Sequence, residues 1–153
     1  MARADFRFAW AKRVQYPEID AQAVVYNSRY LEYFDIALTE YWRAAGLYEK
    51  TGVSGGVEFH VARALVEYKA PIQLDEEILI CCRTARIGRS SMTMALEIHG
   101  LANGPDGEDL RASGETVQVH VAEVRGPPSP VPDWIVDLFE RYEGRPLRQE
   151  RPR

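Results

Sequence analysis

The run Tyr16-Pro-Glu-Ile-Asp20-Ala-Gln-Ala-Val-Val-Tyr26-Asn27 sets two carboxylates, Glu18 and Asp20, shortly before a helix start. Unpaired backbone N–H groups at such a start polarise a carbonyl oxygen, and the helix dipole favours the negative charge that develops there during acyl transfer. A nearby carboxylate can attack that carbonyl or activate water. The same residues also read as a solvated loop and cap, because acidic residues are common ahead of helices. Glu18 in particular reads as an exposed loop charge, since charged side chains are seldom buried unpaired.

Other reactive residues are sparser. Glu58 and His60 share a strand face, but His99 and His120 are too distant in sequence to complete a zinc-binding spacing, so no metal site is expected. The adjacent Cys81 and Cys82 make neither a disulfide framework nor a C-x-x-C knuckle and read as small buried strand residues. Arg86 and Arg89 flank Gly88 with guanidinium forks suited to phosphate, although a solvated hairpin end accounts for each one singly. Ser90 and Ser91 serve either a ligand or the turn alone.

The elements that must hold this chemistry are marked by periodicity. Tyr30, Phe34, Ala37, Leu38, Tyr41, Trp42 and Ala45 recur on one face, which predicts a helix of about four or five turns. Asn27 or Ser28 is expected to cap its first N–H groups, Glu32 suits its positive end, and Gly46 supplies a left-handed stop. Upstream, Phe6, Phe8 and Trp10 alternate with Arg7, Ala9 and Ala11 as a strand, and residues 17–25 read as a loop. Downstream, strands are predicted over 57–69, 77–86, 90–100 and 114–124. Met92, Met94, Leu96 and Ile98 mark one strand face, and Val117, Val119 and Val121 another. A phase slip between Val57, Phe59, Val61 and the later Val66, Tyr68 predicts a bulge near Arg63.

Short turns at Gly88-Arg89 and at residues 103–107 exclude parallel crossovers, so the sheet is antiparallel. Pro132 and Asp133 open a short helix through Trp134, Ile135, Leu138 and Phe139. One long helix cannot cover both faces of five strands, which leaves an α+β domain with a long central helix wrapped by a five-stranded antiparallel sheet. The 153 residues are expected to form one domain over 1–144, followed by a mobile tail, 145–153, whose four arginines and two prolines have nothing to bury. A net charge of −4 argues against nucleic acid as a partner. No apolar run approaches the ~18–20 residues that span a bilayer, and no export signal is read at the start, so a cytoplasmic location away from membranes is expected.

From Val14-Gln-Tyr16-Pro-Glu-Ile-Asp20 through Val24-Val25-Tyr26-Asn27 to Arg43, the chain resembles the hot-dog-fold acyl-CoA thioesterases of the 4-hydroxybenzoyl-CoA thioesterase family. The likeness lies in the tyrosine four residues before the aspartate, the aspartate itself, the Val-Val-Tyr run, and the tyrosine and helix beyond. Glu67-Tyr68-Lys69-Ala70-Pro71 and Gly88-Arg89-Ser90-Ser91 sit where such proteins carry a Tyr-x-x-Pro strand end and a Gly-x-Ser-Ser hairpin, and the resemblance spans residues 6–125.

That resemblance implies hydrolysis of an acyl-CoA thioester. Asp20 matches the catalytic aspartate, acting as nucleophile or as general base. Asn27 is implied to lie near the thioester carbonyl, with its N–H and that of Tyr26 forming the oxyanion site. Tyr16 is implied to shape the pocket, Tyr30 in the first helical turn is a pocket candidate, and Arg86, Arg89 and Ser91 are candidates for contact with the CoA substrate. One departure is Ala23, which stands where the family carries glycine. If that glycine serves a positive φ or a close approach, Ala23 narrows the mouth or shifts the carbonyl. The resemblance further implies a homodimer with sites at the subunit interface, leaving a tetramer open. No cofactor is expected, coenzyme A entering only as part of the substrate. Two rivals stand beside this reading. One is a non-catalytic acyl-CoA-binding module, favoured by Ala23; the other is a hydratase-type hot-dog enzyme, which needs Asp with His and finds no histidine near Asp20 in sequence.

Overall fold

The aromatic stripe forms α1 (Arg29–Ala45), which buries Tyr30, Tyr33, Phe34, Ala37, Leu38 and Tyr41. Gly46 ends it at φ +98°, a left-handed conformation that glycine adopts without a Cβ penalty. The computed structural model describes residues 2–52 and 57–149. Its strands are β1 (Phe8–Arg13), β2 (Glu58–Tyr68), β3 (Glu77–Ile87), β4 (Ser91–His99) and β5 (Leu110–Val121), and two further helices are α2 (Leu47–Thr51) and α3 (Asp133–Glu143). The strands make one antiparallel sheet in the order β1-β3-β4-β5-β2. β1 runs against β3 in the register Phe8↔Cys82 to Arg13↔Glu77. The five-residue α2 follows Gly46 directly and is too short for helical periodicity to reveal.

Two compact units share these elements: residues 1–41, 65–83 and 96–114 in the first, and 42–64, 84–95 and 115–153 in the second. In the first unit α1 packs on the sheet through Tyr41, whose ring meets Phe8 edge-on at 5.8 Å, and through Phe34. A Cβ on Gly114 would fall 2.3 Å from Phe34, so β5 approaches α1 there only because residue 114 has no side chain. In the second unit Trp42 of α1 lies 5.4 Å from Phe59 of β2, and Phe59 lies 5.3 Å from His120 of β5.

Several expectations change. β5 starts four residues before the predicted 114 and ends at Val121, because Gly114 is a packing position inside the strand and not its boundary. Its buried face carries Ala112, Thr116, Gln118 and His120, whereas Val117 and Val119 are only half-buried. The parity that admits Phe34 at Gly114 decides this face, and its polar groups are satisfied locally. Gln118 Nε2 donates to Thr116 Oγ1 at 3.3 Å, and His120 Nδ1 lies 3.1 Å from the Ser129 carbonyl oxygen.

No side-chain hydrogen bond from Asn27 or Ser28 caps α1 among the described residues. The phase slip in β2 falls in a strand that runs unbroken from Glu58 to Tyr68 at the end of the sheet, where both faces carry exposed residues. Trp134 of α3 points to solvent while Ile135, Val136 and Phe139 are buried. The expected mobile tail is held as far as Gln149. Leu147 is buried, Gln149 N–H donates to the Ile87 carbonyl at 2.9 Å, and Arg145 Nη2 donates to the Thr84 carbonyl at 2.8 Å. Residues 150–153 lie outside the described residues.

Candidate active site

After β1, Pro17 helps start a single 3-10 turn, Tyr16–Glu18. An antiparallel bridge between Ile19 and Val25 then closes a tight turn, in which Asp20 N–H donates to the Val24 carbonyl at 2.9 Å and Ala23 N–H to the Asp20 carbonyl at 3.0 Å. Ala23 sits in that turn at φ +61°. The position at which the resemblance led us to expect glycine therefore has the left-handed conformation that favours glycine, and alanine adopts it here. The turn is tied to the segment before β3 by a Val24↔Gln73 bridge and by Val25 N–H to the Ile72 carbonyl at 2.8 Å. Gln22, Ala23, Val24, Gln73 and Leu74 line a shallow cavity of about 230 Å³ at this junction.

Asp20 is half-buried. Its Oδ1 accepts the Gln22 N–H at 2.8 Å, which fixes the carboxylate on its own turn, and its Oδ2 accepts no hydrogen bond among the described residues. Tyr26 N–H donates to the Glu18 carbonyl at 2.9 Å, so that group is engaged and not open to an oxyanion. The N–H groups of Asn27 and Ser28 have no hydrogen-bond partner among the described residues, as the first donors of a helix must when no side chain caps them. Of the expected donor pair, Tyr26 is engaged and Asn27 is open, and the next open N–H is that of Ser28.

Tyr30 is buried, and burial first, then Tyr68 and the charges of Asp20 and Glu76, push its hydroxyl pKa up against the pull of Arg111. Tyr16 is 76% exposed and lines no buried wall within the chain. Arg86, Arg89 and Ser91 belong to the second unit. Arg86 is exposed, 3.9 Å from a Glu115 oxygen that also accepts Arg63 at 2.8 Å. Arg89 is exposed and takes the Val131 N–H on its carbonyl at 2.8 Å, while the half-buried Ser91 takes the Gly88 N–H on its carbonyl at 2.8 Å. The Gly88 turn is thus a closed hairpin with its guanidinium groups outward.

Residues that sequence reasoning missed surround the loop. Glu18 is not a solvated charge: its side chain is 15% exposed, and its carboxylate accepts Lys12 Nζ at 2.8 Å and Tyr33 Oη at 2.5 Å. Burial raises its pKa, but the Lys12 and Tyr33 hydrogen bonds outweigh that and hold it below the usual carboxylate range. The one sequence hint is that Lys12 falls where the alternation of Phe6, Phe8 and Trp10 would place another apolar residue. Tyr68 Oη donates to the Asn27 carbonyl at 2.9 Å, and its ring meets Tyr30 edge-on at 4.8 Å. Arg111 clamps the other side of the turn, reaching Glu76 at 2.7 and 2.9 Å, Asp109 at 3.1 Å and the Pro71 carbonyl at 2.9 Å. No local signal could have paired Arg111 with Glu76, which lies 35 residues away.

Histidine and cysteine chemistry stands apart. His99 is the one histidine in the first unit and is wholly buried, with Nε2 2.9 Å from a Glu97 oxygen and Nδ1 accepting the Asp109 N–H at 3.0 Å. Cys81 and Cys82 are buried and form no disulfide among the described residues, and burial pushes the Cys81 thiol up to about 12. Among the described residues, no group of three or more His, Cys, Asp or Glu could hold a metal ion, and no helix is long and apolar enough to cross a membrane.

A family model described as the thioesterase-like superfamily matches residues 14–139. The acyl-CoA thioester hydrolase YbgC of Escherichia coli is 28% identical over 134 residues, covering 88% of this chain and 96% of that protein. A putative esterase of Aquifex aeolicus is 31% identical over 88 residues, 58% of this chain and 69% of that one. Among solved structures, a thioesterase from Thermus thermophilus complexed with coenzyme A and Zn aligns with a TM-score of 0.77 at 30% identity, covering 93% of this chain and 98% of that one.

Proposed function

Because the chain belongs to the thioesterase-like superfamily, with the hot-dog arrangement of one long helix on a five-stranded antiparallel sheet, we infer that it is an acyl-CoA thioesterase. In this reading a water molecule and an acyl-CoA thioester give a carboxylic acid and free CoA thiol. Asp20 Oδ2 either attacks the carbonyl carbon, forming an anhydride that water then opens, or takes a proton from the attacking water. The N–H groups of Asn27 and Ser28 hold the negative charge on the carbonyl oxygen in the tetrahedral state, where the helix dipole adds to their effect. The C–S bond then breaks, giving the acid directly or the anhydride that water opens afterwards, and the departing thiolate takes the proton that Asp20 removed from water or, in the anhydride route, one from solvent. Arg86 and Arg89 are the proposed guanidinium partners of the CoA phosphates, with Ser91 beside them, while Tyr30, together with Tyr16 once a partner subunit covers it, is the proposed lining of the acyl side.

The observation that carries this reading is a carboxylate anchored through one oxygen with the other left available, in a loop whose far end is an uncapped helix start. The hydratase alternative needs an imidazole beside the aspartate, and the one histidine of that unit has both ring nitrogens engaged. The reading uses no cofactor and takes residues 1–144 as one thioesterase domain, on which residues 145–149 are docked. It also takes the active form as a homodimer paired through β2, one of the two end strands, where Val61 is 55% and Leu65 39% exposed. A cytoplasmic setting suits the two buried thiols.

Thiol release screened over short, long and aromatic acyl-CoA esters tests the activity. Asp20→Asn, which still accepts the Gln22 N–H and so keeps the turn, is expected to lower the hit by about 10²- to 10⁴-fold. Near-normal turnover in that variant removes Asp20 from the mechanism. Tight acyl-CoA binding without thiol release in the parent protein identifies a binding module instead, and a monomer by sedimentation overturns the dimer.

A further inference from the structure

Glu18 joins three elements. Its carboxylate receives Lys12 from β1 and Tyr33 from α1, one donor on each oxygen. The Lys12 ammonium also sits 5.4 Å from the centre of the Tyr33 ring, and the side chains of Lys12 and Glu18 are only 16% and 15% exposed. The backbone of Glu18 is held equally firmly: its N–H donates to Gln15 at 3.0 Å and its carbonyl accepts the Tyr26 N–H at 2.9 Å. One residue earlier, the Pro17 carbonyl accepts Arg29 Nη2 at 3.3 Å.

The two groups assigned to the reaction flank this junction. Asp20 is two residues beyond Glu18, and Asn27 is one residue beyond Tyr26. Two backbone hydrogen bonds join the short segments that carry the carboxylate and the oxyanion donor, Asp20 N–H to the Val24 carbonyl and Tyr26 N–H to the Glu18 carbonyl, each at 2.9 Å, and the second is the one next to Asn27. If the Glu18 carboxylate lets go, the buried hydroxyl of Tyr33 and the Lys12 ammonium lose their acceptor, and that bond loses its anchor on both β1 and α1. Glu18 is not itself placed to react, because each of its oxygens is occupied by a donor while Asp20 keeps Oδ2 available.

We propose that Glu18 is a positioning residue for thioester hydrolysis: its clamped carboxylate holds the Glu18–Tyr26 backbone bond and so sets the spacing between the Asp20 carboxylate and the Asn27 N–H. This role rests on the thioesterase reading, but the junction itself can be measured without it. A misplacement of about 1 Å at reacting groups costs about 100-fold in rate. Glu18→Ala should therefore lower kcat by about that factor, and Glu18→Gln, which keeps an acceptor for Tyr33, by about 10-fold, with KM within about twofold.

Melting curves measured alongside set the assay temperature where each variant is folded. A fall in melting temperature with unchanged kcat per folded molecule makes the role purely structural and overturns the proposal. A loss as deep as that of Asp20→Asn, with a displaced acid limb of the pH profile, makes Glu18 the reacting carboxylate and also overturns it. If Glu18→Ala does not fold, Tyr33→Phe, which leaves the Lys12–Glu18 pair intact, carries the same kcat and KM comparison. Amide hydrogen exchange at Tyr26 is expected to quicken in Glu18→Gln, and unchanged protection there overturns the clamp whatever the activity. Absence of CoA release from the unsubstituted protein would instead remove the thioesterase reading, leaving the exchange result to stand or fall separately.

Discussion

Replacing Ala23 with glycine should make the protein more stable, against the usual direction for an alanine-to-glycine change. At φ +61° an L-residue sits in the left-handed region, which costs about 1–2 kcal/mol relative to the right-handed one. Glycine avoids that cost but carries about 0.5–1 kcal/mol of extra unfolded-chain entropy. Ala23 is exposed at the edge of its cavity, so little packing is lost with its methyl group. The balance is a gain of about 0.5–1 kcal/mol, or about 1–4 °C in melting temperature for a chain of this size.

Ala21 supplies the internal control, being exposed in the same turn and absent from the positive-φ residues. Ala21→Gly should lose about 0.5–1 kcal/mol through the entropy cost alone. Urea unfolding of both variants with thermal scans checks the pair. Equal losses in the two would refute the left-handed assignment at Ala23.

Gly114→Ala should destabilise by about 1–3 kcal/mol or more, because the new Cβ would lie 2.3 Å from the Phe34 ring and 2.4 Å from the Leu65 carbonyl oxygen; urea midpoints measure it, and a neutral result would deny the close approach of β5 to α1. Arg111→Met should cost stability at neutral pH and flatten the acid limb. Arg111 holds Glu76 and Asp109 below the usual carboxylate range, so their contribution is full above the unfolded values near pH 4 and is lost as pH falls through the lower folded ones. Unfolding free energy followed from pH 7 downward tests this, and a variant whose acid limb stays as steep as the parent's would show that other groups carry it.

Much of the architecture was legible because it is written in short-range periodicity. The stripe from Tyr30 to Tyr41, the stop at Gly46, the Gly88 hairpin and the Pro132 helix start all depend on residues within a few positions of one another. The carboxylate ahead of a helix start was legible for the same reason, as was the unusual alanine in its turn. What periodicity misjudged was β5, where Val117 and Val119 outnumbered the signal of one glycine. A space that only the Phe34 ring defines decided which face was buried.

The electrostatic detail of the site belongs to the tertiary structure. Glu18 looked like a loop charge because its partners Lys12 and Tyr33 come from a strand and a helix, and neither contact has a sequence spacing that repeats. The loss of Tyr26 as an open donor, the clamp of Arg111 on Glu76 and the docking of the tail through Leu147 likewise depend on segments brought together only by folding. Chain order marked where a carboxylate and a helix tip could meet. Which N–H groups stay open and which charges are neutralised follows from burial and hydrogen-bond competition, and those exist only once the segments are packed.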